Sequence, residues 1–269
     1  MVSQGHHTYL WLSNGKPEYK QFNSNLAQKV TDLFHDTQKG YRFICYQLRR
    51  PYQLFRNPKT ILRYMRILGH HSPIRKKRYH SCTQREITEK ARHVHYNVLA
   101  RNFKAERPLQ KLTMDVSYVY YNYGRMFLSV IKDCYDNSIL DYTLSDFNDN
   151  KLVFDNIDLV FNNFWDSTKV CILHSDQGFQ YTNQQYLRKL DQYGVTISHS
   201  GKGNGYDNAA CENFFFHLKS ESLRPFSPKD KRTLIHQIRE YINWYNYHRP
   251  QEKLKGMTPM EFRKSYLTK

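Results

Sequence analysis

LTMDVSYVYYNYGRMFLSVIKDCYDNSILDYTLSD, residues 112–146, holds three runs rich in β-branched and aromatic side chains. They cover 112–121, 125–133 and 138–146, and polar breaks at Asn122 to Gly124 and at Asp136 and Asn137 separate them. Such runs with short polar interruptions predict strands joined as an antiparallel meander. Downstream, LVFDNIDLVFNNFW (152–165) has helical spacing, VCILHSD (170–176) is a short apolar run, and NQQYLRKLDQYG (183–194) is a helix that stops at Gly194. Val195 to Ser198 form one more strand.

Three strands followed by helix, strand, helix, strand and a last long helix predict an α/β layer fold of the ribonuclease-H type. The carboxylates fall at telling places in it. Asp115 lies inside the first strand, where an unpaired buried charge is costly, and Asp176 directly follows the 170–175 run. Glu212 sits in YDNAACENFFFHLKSE, where Asp207 or Asn208 is placed to cap a helix. At 100° per residue Cys211, Phe214, Phe215 and Leu218 share one arc. Asn208, Glu212, Phe216 and Lys219 occupy the neighbouring one, so Glu212 borders the core and Lys219 lies two turns on along the same face. A strand interior, a strand end and a helix can bring three carboxylates to hard divalent cations, Mg²⁺ or Mn²⁺. Two such ions would serve phosphodiester cleavage or transfer.

The interval from Asp176 to Glu212 leaves thirty-five residues between them. Asp115, Asp176 and Glu212 thereby resemble the Asp, Asp, thirty-five, Glu signature of transposases and retroviral integrases. Four stretches narrow the resemblance: LTMDVSYV (112–119), LHSDQGFQYTN (173–183), SHSGKGNGYDNAACENFFFHLKSE (198–221) and INWYNYHRPQEKLKGMTPMEF (242–262). They are similar to the second-frame product of bacterial insertion-sequence transposases encoded in two overlapping frames. In that family a Lys or Arg stands seven residues after the Glu, and Lys219 is there. YLWLSNGKPEY, KGYRFICYQL and NPKTILRYMRILG resemble the family's helical front module. The chain departs from the pattern at Leu112 and Met114, where the family usually has Trp and Thr.

The resemblance implies a DNA transposase subunit. Asp115, Asp176 and Glu212 would be its catalytic and metal-binding residues, with two Mg²⁺ (or Mn²⁺) ions. Its expected partners are terminal inverted repeats, target DNA, further copies of itself, and an upstream-frame helix-turn-helix protein or a frameshifted fusion to it. Two other readings stay open: a ribonuclease-H-like nuclease, and a non-catalytic DNA-binding remnant or regulator.

Charge supports a polyanionic partner. The 269 residues carry 41 Lys and Arg against 24 Asp and Glu. Residues 1–110 hold 21 basic and 6 acidic side chains (+15), which leaves 20 against 18 (+2) for 111–269. A basic front joined to a near-neutral rear suggests a polyanion-binding arm on a working domain. In 24–68 the apolar spacing predicts short helices interrupted at Pro51 and Pro58, with the outline of a helix-turn-helix reader carrying Lys59 and Arg63; an ordinary helical bundle fits the same pattern.

The expected organisation is a 1–68 helical module, a 69–107 basic linker, a 108–221 catalytic core and a 222–269 helical segment. Arg75, Lys76, Lys77 and Arg78 in the linker are placed for phosphate contact, as are Lys202 and Asn204 before the Glu212 helix and Arg249 in the tail. His174 is expected to make a structural hydrogen bond. No zinc site is expected from His70, His71, His80, His93 and His95, because the paired cysteines are missing. With a mean hydropathy of −0.80 and no long apolar run, no membrane span is expected. The five scattered cysteines fit reduced thiols, and the expected location is the bacterial cytoplasm at the nucleoid.

Overall fold

The structure, a computed structural model, describes residues 22–73, 94–164, 168–201 and 208–268. The chain forms two compact units, Met1–His80 and Ser81–Lys269.

The first unit is built from helices α1 (Ser24–Thr37), α2 (Tyr41–Tyr52) and α3 (Pro58–Ile67). The side chain of Asn23 caps α1 by accepting from the Leu26 N–H, and Asn57 caps α3 ahead of Pro58 in its first turn. Val30, Phe34, Ile44, Leu48, Ile61 and Met65 come together in the centre. Pro58 opens a helix as expected, but Pro51 does not interrupt one. It falls in the last turn of α2, which runs only one residue further to Tyr52 before Gln53, held at φ 51°, ends it.

The second unit holds a five-stranded mixed sheet in the order β3-β2-β1-β4-β5. Strands β1 (Lys111–Tyr121), β2 (Gly124–Asp133) and β3 (Ile139–Ser145) are the predicted antiparallel meander, while β4 (Ile172–Ser175) and β5 (Thr196–His199) run parallel to β1. Helices α4 (Asn150–Phe164) and α5 (Gln184–Gln192) carry the chain between the parallel strands, and Gly194, at φ 65°, takes it out of α5. The helices α6 (Ala209–Leu218) and α7 (Lys231–Tyr247) follow, joined through a π-helical turn at Lys219–Leu223, and α8 (Pro259–Leu267) closes the chain.

Strand alternation sorts the core into two layers. Leu112, Met114, Ile131 and Leu173 face α4 and α5, packing on Val153, Ile157 and Leu190. Val119, Leu128 and Val130 face the other side, against Phe214 and Leu218 of α6 and Leu234, Ile238, Tyr241 and Tyr245 of α7. Leu112 and Met114, where the chain departs from the family pattern, are both fully buried in the first layer. β2 is buried along almost its whole length because both layers cover it.

The described end of the expected linker, 94–107, has no helix or strand, but it is docked. The His95 N–H donates to His199 Nδ1 (2.9 Å) and the Leu99 N–H to Ser198 Oγ (3.1 Å), both on β5. Among the described residues no helix is long and apolar enough to cross a membrane.

Candidate active site

The parallel pairing of β1 with β4 stops at Thr113 opposite His174. Asp115 and Asp176 each lie two residues beyond that last pair, where the two strands part. Alternation places Asp115 on the face that carries Val119, the face covered by α6. A crevice where paired strands diverge is where α/β sheets expose polar groups without breaking their core.

Each carboxylate is held locally. Asp115 Oδ1 accepts from the Val116 N–H at 2.8 Å, and Asp176 Oδ1 accepts from the Gly178 N–H at 2.8 Å. Burial raises the Asp115 carboxyl to about 7; the nearby charges of Asp176 and Glu212 add to it, and the Val116 hydrogen bond opposes it. Asp176 is raised by burial, and Glu212 by burial and then by Asp176. The three acids are thus within electrostatic reach of one another, although among the described residues they are not gathered closely enough to enclose an ion as a set. Their chemistry fits a hard divalent cation: oxygen donors, two partly buried on the sheet and Glu212 exposed on α6, whose mutual repulsion a cation would relieve.

Lys219 completes the group. Its Nζ donates to Ser117 Oγ at 2.7 Å, on the same face of β1 as Asp115. Burial and then Arg224 lower its pKa, with Asp115 pulling the other way.

The helix bearing Glu212 is fastened over the residues just ahead of it. Asn208 does not cap it with its side chain; instead Nδ2 donates to the carbonyl of Met114 at 3.3 Å, next to Asp115. The buried Lys132 of β2 donates to the Ala210 carbonyl (3.0 Å), and Cys211 Sγ lies 3.2 Å from Thr113 Oγ1. Sequence reading missed both Lys132 and Gly178. A Cβ at Gly178 would stand 3.0 Å from Asp176 Oδ1 and 3.3 Å from the Tyr181 ring, so a side chain there would press on the carboxylate that the turn closes around. A Gly two residues after a strand-end acid was the available signal.

His174 makes the structural hydrogen bond expected of it, to Ser198 Oγ at 2.9 Å, and is wholly buried. Arg249, expected at DNA, points into the fold instead, its side chain 13% exposed against Glu221. A guanidinium inside the protein needs a carboxylate partner, and Glu221 provides it. Lys59 and Arg63 lie on α3 of the first unit, Lys59 exposed and Arg63 over the Tyr64 ring. Arg75, Lys76, Lys77, Arg78, Lys202 and Asn204 fall outside the described residues.

Residues 105–205 and 212–267 each match a family described as integrase core domain. Asp115 and Asp176 fall in the first match, and Glu212 opens the second. A protein of Escherichia coli (strain K12), named as a transposase InsK for insertion sequence element IS150, is 34% identical over 242 residues; the alignment spans 89% of this chain and 83% of the relative.

This chain belongs to the integrase-core transposases of bacterial insertion sequences.

A transposase for element IS904 of Lactococcus lactis is similar over 241 residues, at 27% identity and with 93% of its own length covered. Among solved structures the catalytic core of HTLV-2 integrase in complex with magnesium aligns with 60% of this transposase and 99% of that chain, at 14% identity and a TM-score of 0.47. The transposase is accordingly an enzyme of the polynucleotidyl-transferase type.

Proposed function

We propose that this transposase cuts the ends of an insertion element and joins the freed 3′-hydroxyl to DNA by direct transesterification, with Asp115, Asp176 and Glu212 as its catalytic carboxylates. The observation that carries the proposal is the electrostatic coupling of three acids, two partly buried and one exposed on α6, where β1 and β4 part. Asp115, inside β1, and Asp176, at the end of β4, would hold the metal ions, and Glu212 would close the set from α6. When bound, a pair of Mg²⁺ or Mn²⁺ ions supplies charge stabilisation for the attacking and leaving oxygens. The chain's own contribution is placement: the β1 strand, the end of β4 and a fastened helix position the carboxylates, and Lys219 brings a cation beside Asp115 toward the substrate phosphate.

The basic front binds DNA in this scheme, with Lys59 and Arg63 on α3 and the 75–78 cluster contacting phosphates. Lys202 and Asn204, just before the Glu212 helix, would meet the substrate. Two ends must be held together for joining, which calls for more than one copy and for the upstream-frame partner that recognises the terminal repeats.

The test is incubation of the purified protein, with and without that partner, with labelled terminal-repeat DNA in Mg²⁺, alongside Glu212→Gln. Nicked and joined products that vanish in the variant support the proposal. Cutting without any joined product would make the protein a nuclease, and salt-sensitive binding without product in either protein would reduce it to a DNA-binding remnant.

A further inference from the structure

Arg249 and Glu221 meet inside the second unit, in a network that the three-carboxylate signature does not include. The Glu221 side chain is 2% exposed. Its Oε1 accepts from Arg249 Nη2 at 2.8 Å and lies 3.0 Å from His217 Nδ1. Its Oε2 accepts from Arg249 Nε at 3.1 Å and from the Tyr241 hydroxyl at 2.9 Å. A carboxylate this deep is tolerable only when its lone pairs are filled, and a two-pronged guanidinium plus a phenol fill them with fixed geometry.

The position of Glu221 gives the network its meaning. It belongs to the π-helical turn Lys219–Leu223, which continues α6 without a break and is closed by the Arg224 N–H on the Lys219 carbonyl at 2.9 Å. Wide turns of this kind are rare and occur mostly where function demands them. Here the turn separates two side chains only two residues apart. Lys219 reaches across to Ser117 on β1, while Glu221 turns to Tyr241 on α7 and to Arg249 just beyond it.

We propose that Glu221, Arg249 and Tyr241 are positioning residues: they form a buried latch by which the C-terminal segment fixes the π turn, aims Lys219 at Ser117 beside Asp115, and sets the helix that carries Glu212. The inference builds on the catalytic roles proposed above, and its test is chosen to separate the two. Arg249→Lys keeps the charge but loses the fork. Tyr241→Phe removes one donor and leaves the packing. Two measurements are made on the full chain. The first is trace acetylation of Lys219, read by mass spectrometry against the exposed Lys151 as internal standard. The second is the single-turnover rate of end cutting, measured together with DNA affinity.

The latch predicts that Lys219 is acetylated at least threefold faster in both variants. Single-turnover cutting is expected to fall about tenfold in Arg249→Lys and less in Tyr241→Phe, with DNA affinity within twofold of wild type. Unchanged Lys219 labelling in folded variants overturns the latch, and so does a rate loss that follows only a lowered melting temperature. If the wild-type protein cuts no DNA at all, the catalytic proposal fails, and the labelling result alone still supports or overturns the latch.

Discussion

Asp115 is a residue whose burial works against the stability of the fold. Its carboxyl is raised from 3.8 to about 7 by burial and by the charges of Asp176 and Glu212. Below about pH 4 both folded and unfolded chains hold the proton, and the residue is neutral to stability. Between about 4 and 7 the unfolded chain releases its proton while the folded chain keeps it, so stability falls as pH rises, and the full penalty is present above about 7. At roughly 1.4 kcal/mol per unit this amounts to a few kcal/mol at most. Asp115→Asn should therefore raise the thermal midpoint at pH 8 in a chelator, by several degrees, and leave it unchanged near pH 4. Added Mg²⁺ should raise the wild-type midpoint at pH 8 and do far less for the variant. Equal midpoints at pH 8 in chelator would mean that the buried acid ionises there without cost.

The same residue shows what a sequence can disclose. Asp115, Asp176 and Glu212 stood out in the sequence only as a set: each alone could be an ordinary surface or capping acid, but their joint spacing matched a known signature; the fold brings them within electrostatic reach of one another. Arg249 was misread for the converse reason. An arginine in a polar, proline-marked run looks like surface, and its partner lies twenty-eight residues away on a turn whose phase only the folded chain reveals. Lys132 was missed because alternation in a meander predicts a solvated face, whereas β2 is covered on both sides.

At the level of elements, the meander and the two parallel strands were predicted to within one or two residues at most ends, since β-branched runs and Gly194 mark them strongly. The fastening of α6 was not, because Asn208 looked like a helix cap and instead reaches the Met114 carbonyl. A true cap stands further along. Thr258 accepts from the Glu261 N–H at 3.3 Å while Glu261 Oε2 accepts from the Thr258 N–H at 2.9 Å, a reciprocal box that opens α8. Arg263 of that helix then grips both Asp133 and Asp136 at 2.6 Å, at the turn between β2 and β3. Thr258→Ala should cost about 1 kcal/mol. It would be read as a lower denaturant midpoint with an unchanged slope, and Thr258→Ser should recover most of it. A changed slope would instead mean that α8 had detached from the rest of the unit.

Across the whole molecule, charge and chemistry are divided between the two ends of the sequence. The excess of +15 lies in residues 1–110, which the proposed scheme assigns to DNA, and the near-neutral remainder houses the three acids. Measured against duplex DNA, Lys59→Ala and Arg63→Ala should each weaken binding at all sequences and reduce the slope of log affinity against log salt by about one. A substitution that relaxes sequence preference with the slope unchanged would place that side chain at a base edge instead of a phosphate.

The packing of α7 against α6 has a consequence for genomes. The side chains that bury Phe214 and Leu218 beneath the third acid come from Leu234, Ile238, Tyr241 and Tyr245, all encoded after the last letter of the signature. An open reading frame cut short by a late stop codon would still spell out all three signature acids yet lack the α7 part of the layer beneath one of them. Surveys that count intact signatures would then score dead copies as live, and the state of the final forty codons is the better census of elements that still move.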